Sequence, residues 1–214
     1  MRRALTAVLF AVLALGATPS LALSPAQAPG GAASGVFLVA KRDMPDPRFR
    51  ETVVLVTYPQ RGGPFGVIIN RPLDMKLSEV FPQHGSLKGR QDALHYGGPV
   101  AREGLVFAVR AAKPPPHSVR VLQDVWFTLD VEWVDELLAR ADPTQGLRVY
   151  AGYSGWAPGQ LQNEIARGDW HVVPADAAMV FAGDLTNLWR ELIQRATSRQ
   201  TRATPDVLPV VSVE

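Results

Sequence analysis

The stretch Leu147-Arg-Val-Tyr-Ala-Gly-Tyr-Ser-Gly-Trp-Ala-Pro-Gly-Gln-Leu-Gln-Asn-Glu-Ile165 decides how the chain is read, because it changes period part-way along. Leu147 to Tyr153 is apolar and aromatic and bounded by turn formers, which predicts a strand. After Ser154-Gly155-Trp156, Pro158 is suited to a first helical turn, and Leu161 and Ile165 stand one turn apart on one face. Gly168 closes that helix. A strand running directly into a helix is the unit of a mixed α/β fold.

The neighbouring segments extend the pattern. Trp170-His-Val-Val173 predicts a further short strand, and Ala175 to Phe181 a helical turn or two. Asp184 is the expected N-cap of a helix carrying Leu185, Leu188, Trp189, Leu192 and Ile193 on one face. Upstream, Gly35 to Ala40, Thr52 to Tyr58 and Gly66 to Asn70 are continuous β-branched runs that read as strands covered on both faces. Leu77 to Phe81 predicts a short helix, residues 83–94 a polar surface loop, and Gly104 to Val109 and Asp124 to Leu129 two more strands. Between those strands, Lys113-Pro-Pro-Pro116 is held extended by its ring-locked φ angles. Asp130 is an N-cap for a helix with Val131, Val134, Leu137 and Leu138 on its apolar face.

The chain has 214 residues, 47% of them hydrophobic and 20% charged, with 18 glycines, 18 prolines and no cysteine. That length fits one domain with short tails, large enough to hold a core without a metal or a disulfide. Without cysteine there is no thiol catalysis, Cys-ligated zinc, iron–sulfur cluster or dithiol redox centre. The histidines, His84, His95, His117 and His171, are scattered, so no metal site is expected; they read as surface or cap residues, with a pocket position as the alternative for His95 beside Tyr96-Gly97-Gly98. Both phosphate-cradling glycine motifs are missing as well, and no cofactor is expected.

The first residues read as an export signal. Arg2 and Arg3 form a positive start, Ala4 to Ala17 an apolar stretch, and Ser20-Leu21-Ala22 a cleavage site, with Ala26-Gln27-Ala28 as a second candidate. Gly16, Pro19 and Ser20 interrupt the stretch before it could span a bilayer, so no membrane span is expected in the mature chain. The alternatives are an uncleaved anchor or translation beginning at Met44. Residues 1–22 are thus expected to be a signal peptide, 23–34 a linker, 35–196 the domain and 197–214 a tail, with Val207 to Val213 as a loose end or an edge strand. Removing Arg2 and Arg3 from the 22 Lys+Arg leaves 20 against 20 Asp+Glu. A neutral mature chain lacks the field that drives binding to phosphate backbones, which argues against nucleic acid as a partner.

Gly152-Tyr-Ser154-Gly155 invites a hydrolase reading, with Ser154 as nucleophile, His171 as base and Asp169 or Asp176 as orienter. The pattern of a nucleophile elbow fails at Trp156, where its second glycine belongs. A hydroxyl at a glycine-rich turn more commonly caps backbone groups, so no catalytic residue is assigned.

Phe49 with Thr52-Val-Val-Leu-Val56, Gly66-Val-Ile-Ile-Asn-Arg-Pro72, Gly97-Gly-Pro-Val100, Gly152 to Ile165 and Asp169-Trp-His-Val-Val-Pro174 together resemble the AlgH/YqgE family, in order and along Gly35 to about Ala196. The resemblance implies an α/β (mixed α+β) domain, with a bent mixed sheet forming a pseudo-barrel and helices packed outside. The family carries no established biochemical activity and is often labelled a transcriptional regulator. Its motif positions fall here on Asn70, Arg71, Pro72, Gly97, Gly98, Pro99, Tyr153, Gly155, Trp156, Gly159, Gln160, Leu161 and Glu164. Asn70, Arg71, Gly97, Gly98, Trp156, Gln160 and Glu164 are the ligand or motif candidates, and Arg71 is the expected ion-pair partner of Glu164. The resemblance implies a cytoplasmic protein, from which an export signal departs. The expected role is a non-enzymatic binding or regulatory module of the cell envelope, periplasmic or secreted, with an unspecified protein or small-molecule partner. The alternatives are a cytoplasmic transcriptional regulator and a Ser154 hydrolase.

Overall fold

The computed structural model describes residues 35–59 and 63–203. The expected signal peptide and linker, and the segment Val207 to Val213, lie outside the described residues. Ten strands are ordered in one sheet: β1 (Val36–Ala40), β2 (Val53–Thr57), β3 (Phe65–Ile68), β4 (Pro72–Lys76), β5 (Ala93–Tyr96), β6 (Val100–Arg110), β7 (Ser118–Arg120), β8 (Val125–Thr128), β9 (Leu147–Gly155) and β10 (Trp170–Pro174). The helices are α1 (Leu77–Val80), α2 (Val131–Leu138), α3 (Gln160–Arg167), α4 (Ala177–Val180) and α5 (Leu188–Ala203).

The main path of the sheet runs β10-β1-β2-β3-β9-β6-β8-β7. β9 is its branch point. One edge pairs along most of its length with β6, while the other takes β3 at Gly155 and Ser154 and β5 at Ala151 and Tyr150. The β5–β9 pairing is parallel and all others are antiparallel, and the sheet curls into a half-barrel with helices. Branching forces backbones together where β5 ends. A Cβ on Gly97 would stand 2.2 Å from the Gly152 carbonyl oxygen, and one on Gly98 would stand 2.3 Å from the Tyr153 carbonyl. Only glycine fits at both places.

The continuous apolar runs are buried as expected, and every residue of β2 is inside. Phe37, Val39, Leu55 and Tyr150 share one core cluster with Leu188, Trp189, Leu192 and Ile193 of α5. The other face of β1 and β2 packs Leu38, Val54 and Val56 against Trp156, Leu161 and Trp170. A third cluster lies under α2.

Several expectations are corrected. Residues 83–94 are not all surface loop: Leu87 is fully buried, and Ala93 opens β5. Pro72–Lys76 and Ser118–Arg120, too polar and short to signal strands, pair with β5 and β8. Val131 is exposed, so the apolar face of α2 is Val134, Leu137 and Leu138. Asp130 caps α2 as expected, accepting from the Trp133 N–H at 3.0 Å. Asp184 instead accepts from Thr186 N–H in the turn before α5, which starts at Leu188. That helix continues to Ala203, past residue 196.

Candidate functional site

Trp156, Gln160 and Glu164, with Pro99 and Gly155, line one small cavity at the end of β9. At the end of β9 the chain turns through Trp156, whose N–H donates to the Pro64 carbonyl at 3.1 Å. Gln160 opens α3 by accepting from Ala157 N–H at 3.1 Å through Oε1. Its Nε2 donates to Glu164 Oε1 at 2.9 Å, one helical turn along. The indole N–H groups of Trp156 and Trp170 both donate to Glu164 Oε2, at 2.8 and 2.9 Å. One carboxylate therefore ties together the ends of β9, α3 and β10.

Asn70 and Arg71 do not line the cavity and instead bind the backbone of residues 48–53. Asn70 accepts from Val53 N–H at 2.8 Å and donates to the Glu51 carbonyl at 2.9 Å. Arg71 donates to the carbonyls of Arg48 and Arg50 at 2.5 and 2.7 Å. The expected Arg71–Glu164 ion pair is not formed: the guanidinium is turned onto backbone carbonyls 23 and 21 residues away in sequence, and Glu164 is engaged by three other donors. Partial burial of Arg71 lowers its pKa.

The cavity measures about 360 Å³ and is lined among others by Phe49, Trp156, Gln160 and Glu164. Pro99 and Val100, which follow the Gly97-Gly98 crossing, complete it. Its other charges are paired. Arg48 meets Asp46 at 2.6 Å and holds that carboxyl below its usual range, and Arg167 meets Asp169 at 2.6 Å.

Ser154 does not sit on a sharp turn. It lies within β9, opposite Gly66, with its side chain fully buried and its hydroxyl donating to the Gly97 carbonyl at 3.1 Å. A substrate carbonyl has no approach to that oxygen. His171 lies on β10 opposite Val39, where burial first and Lys41 second lower its pKa.

Three residues carry an unmet polar demand that sequence reasoning passed over or only touched: His95, Arg148 and Tyr150. His95 was legible as a pocket candidate. Arg148 and Tyr150 read only as ordinary strand residues in the run Leu147 to Tyr153. The alternation of β9, which puts residues two apart on one face, was the signal available.

A half-barrel sheet branching at one strand, with a cavity built from the strand-to-helix junction that follows it, defines the class of protein. Residues 37–200 match the model of the AlgH-like family, and the chain belongs to that family. The UPF0301 protein of Mycobacterium tuberculosis is 37% identical over 166 residues, covering 76% of this chain and 81% of its own length. A UPF0301 protein of Rhodococcus opacus is 36% identical over 165 residues, with 75% and 81% covered. Among solved structures, a Corynebacterium diphtheriae protein matches with a TM-score of 0.63 at 27% identity, over 85% of this chain and 92% of that one. The AlgH protein of Pseudomonas aeruginosa matches with a TM-score of 0.61 at 24% identity, over 88% and 98%, a likeness of fold.

Proposed function

We propose that this AlgH-like protein is a non-enzymatic binding or regulatory module exported to the cell envelope. The observation that carries the reading is the Trp156–Gln160–Glu164 cavity. Trp156, Gln160 and Glu164 line it with Pro99 and Gly155, the polar groups of those three side chains are held by the protein itself, and Ser154, the neighbour of Gly155 in the chain, is buried and committed to Gly97. Pre-formed walls with mutually satisfied polar groups suit recognition, whereas a nucleophile must be reachable and paired with a base. Export rests on Arg2, Arg3 and the apolar stretch Ala4 to Ala17.

Mass spectrometry of the native protein from fractionated cells tests this reading. A chain starting near Leu23 and recovered outside the inner membrane supports it. An intact chain found in the cytoplasm overturns export and restores the transcriptional-regulator reading, for which salt-dependent DNA binding is the check. Turnover of generic esters by the purified protein, lost in Ser154→Ala, would overturn the non-enzymatic part.

A further inference from the structure

Among the described residues the sheet has three open edges: β4, which pairs only with β5, β7, which pairs only with β8, and β10, which pairs only with β1. An open edge offers unpaired N–H and C=O groups to any other strand, and proteins blunt it with charge, proline or shortness. β4 begins at Pro72 and carries Asp74 and Lys76, while β7 is three residues long, follows the prolines at 114–116 and carries Arg120. β10 has no Lys, Arg, Asp or Glu, and its one edge breaker, Pro174, is its last residue. Val172, at its centre, is 48% exposed.

The register of β10 fixes which backbone groups are open. Lys41 N–H donates to the Asp169 carbonyl at 3.0 Å and Ala175 N–H to the Gly35 carbonyl at 3.4 Å, so the odd-numbered residues of this strand turn their peptide groups toward β1. The N–H groups of Trp170 and Val172, and the carbonyls of Trp170, Val172 and Pro174, therefore point to the open side, where no described strand pairs with them.

Beside this edge runs a groove of about 530 Å³, lined among others by Trp170, Val172, Val173, Met179, Leu192 and Ala196. Its charged lining residues are Lys41 and Arg195, with no carboxylate among the described ones. Leu192, Arg195 and Ala196 belong to α5, so the helix that walls the groove also carries the chain past it. Beyond α5, Thr204-Pro205-Asp206 is a turn sequence, and Val207-Leu-Pro-Val-Val-Ser-Val213 is an uncharged, β-branched run bracketed by Asp206 and Glu214. From Ala196 to Ala203 the helix advances about 10 Å, and the three residues of the turn sequence, extended, return about the same distance. Val207 can thus stand level with Ala196, and the seven residues that start there reach about 23 Å as a strand, enough to follow the whole of β10.

We propose that residues 207–213 dock on β10 of their own chain as an added edge strand, filling the groove beside α5 and shielding the edge from other chains. Pro209 sets the parity, because a proline in an edge strand turns its missing N–H away from the neighbouring strand. Leu208, Val210 and Ser212 accordingly turn their peptide groups toward β10, and Asp206 lies on the Arg195 side of the groove. The groove shares no lining residue with the Trp156–Glu164 cavity, so this strap goes beyond the binding reading and stands separately from it.

Amide hydrogen exchange of the full-length protein, resolved by NMR, tests the strap at Val172 N–H. Val173 N–H, which faces β1, is the internal reference. Val172 N–H is expected to exchange slowly in the wild type. Val210→Pro removes a donor facing β10 and is expected to speed that exchange at least about tenfold, whereas Val211→Pro removes one facing away and is expected to change it less than about twofold. Val173 N–H is expected to be unmoved in both. If Val210→Pro also disturbs Val173, Ser212→Pro, of the same parity, carries the test. The proposal is overturned if Val172 N–H exchanges as fast as a solvent-exposed amide in the wild type, if it stays slow in Val210→Pro, or if the two proline variants act alike. Slow exchange that appears only as the protein concentration is raised, with a dimer in sedimentation, also overturns it and assigns the edge to a second copy of the chain.

Discussion

Trp156 and Trp170, one at the exit of β9 and the other at the start of β10, donate their indole N–H groups to the same oxygen of Glu164. Their rings meet edge to face at 6.5 Å, and Phe49 packs against Trp170 at 5.5 Å. Burying two indoles beside a charge is stable only because each N–H finds that charge, so the aromatic wall of the cavity and Glu164 depend on one another.

Glu164→Ala leaves both indole donors and the Gln160 amide without their acceptor. The expected destabilisation is about 2–4 kcal/mol, since hydrogen bonds to a charged group contribute about 1.5–3 kcal/mol each and the site is partly solvated. Denaturant unfolding followed by tryptophan fluorescence measures it, and a loss below about 0.5 kcal/mol would show that the network is incidental.

Trp189 joins α5 to the sheet. It is 6% exposed and donates its indole N–H to the Ala40 carbonyl at 2.7 Å. Trp189→Ala is expected to cost about 3–5 kcal/mol by cavity formation. Trp189→Phe keeps most of the volume but leaves the Ala40 carbonyl unpaired, at about 1–3 kcal/mol. Equal losses for the two variants would contradict this division between packing and hydrogen bonding.

The Gly98 crossing is intolerant of any side chain. Gly98→Ala places a Cβ 2.3 Å from the Tyr153 backbone, which must move together with β9. The expected cost is about 3 kcal/mol or more. Gly159→Ala is the control at a surface position: its Cβ meets nothing within 4 Å, and only its left-handed φ of 79° opposes the change. A smaller loss at Gly98 than at Gly159 would refute the crossing as a steric constraint.

His95 gives stability a pH dependence of defined sign. Its folded pKa is lowered from 6.5 to about 4, so on acidification the unfolded chain takes up a proton first. Its contribution is complete above pH 6.5 and is lost as pH falls from 6.5 towards 4, by up to about 3 kcal/mol. His171, also lowered, adds with the same sign, while Asp46 and Asp92, lowered from 3.8, act at lower pH. Melting temperatures between pH 4 and 7 should rise less steeply with pH for His95→Gln than for wild type, and parallel curves would mean that His95 titrates freely.

Amino-acid order alone determined the strongly periodic elements. The β-branched runs of β1, β2 and β3, the strand-to-helix change from β9 into α3, and the Asp130 cap of α2 are local consequences of side-chain shape and hydrogen-bonding capacity, so they could be read without tertiary contacts. The motif residues could be named by resemblance, including Trp156, Gln160 and Glu164, which line the cavity at the end of β9. Tertiary structure decided what those residues touch. Arg71 has donors that suit a carboxylate and backbone carbonyls equally, and only the path of residues 48–50 selected the carbonyls. Ser154 has the composition of an exposed turn, yet pairing with β3 buried it. Pro72–Lys76 becomes a strand because β5 offers an edge, and no local signal records that. His95, Arg148 and Tyr150 lie up to 55 positions apart in the chain. A parallel register between β5 and β9 is set by loop closure and by the glycine crossing at Gly97 and Gly98, so their shared polar demand exists only once the sheet has branched.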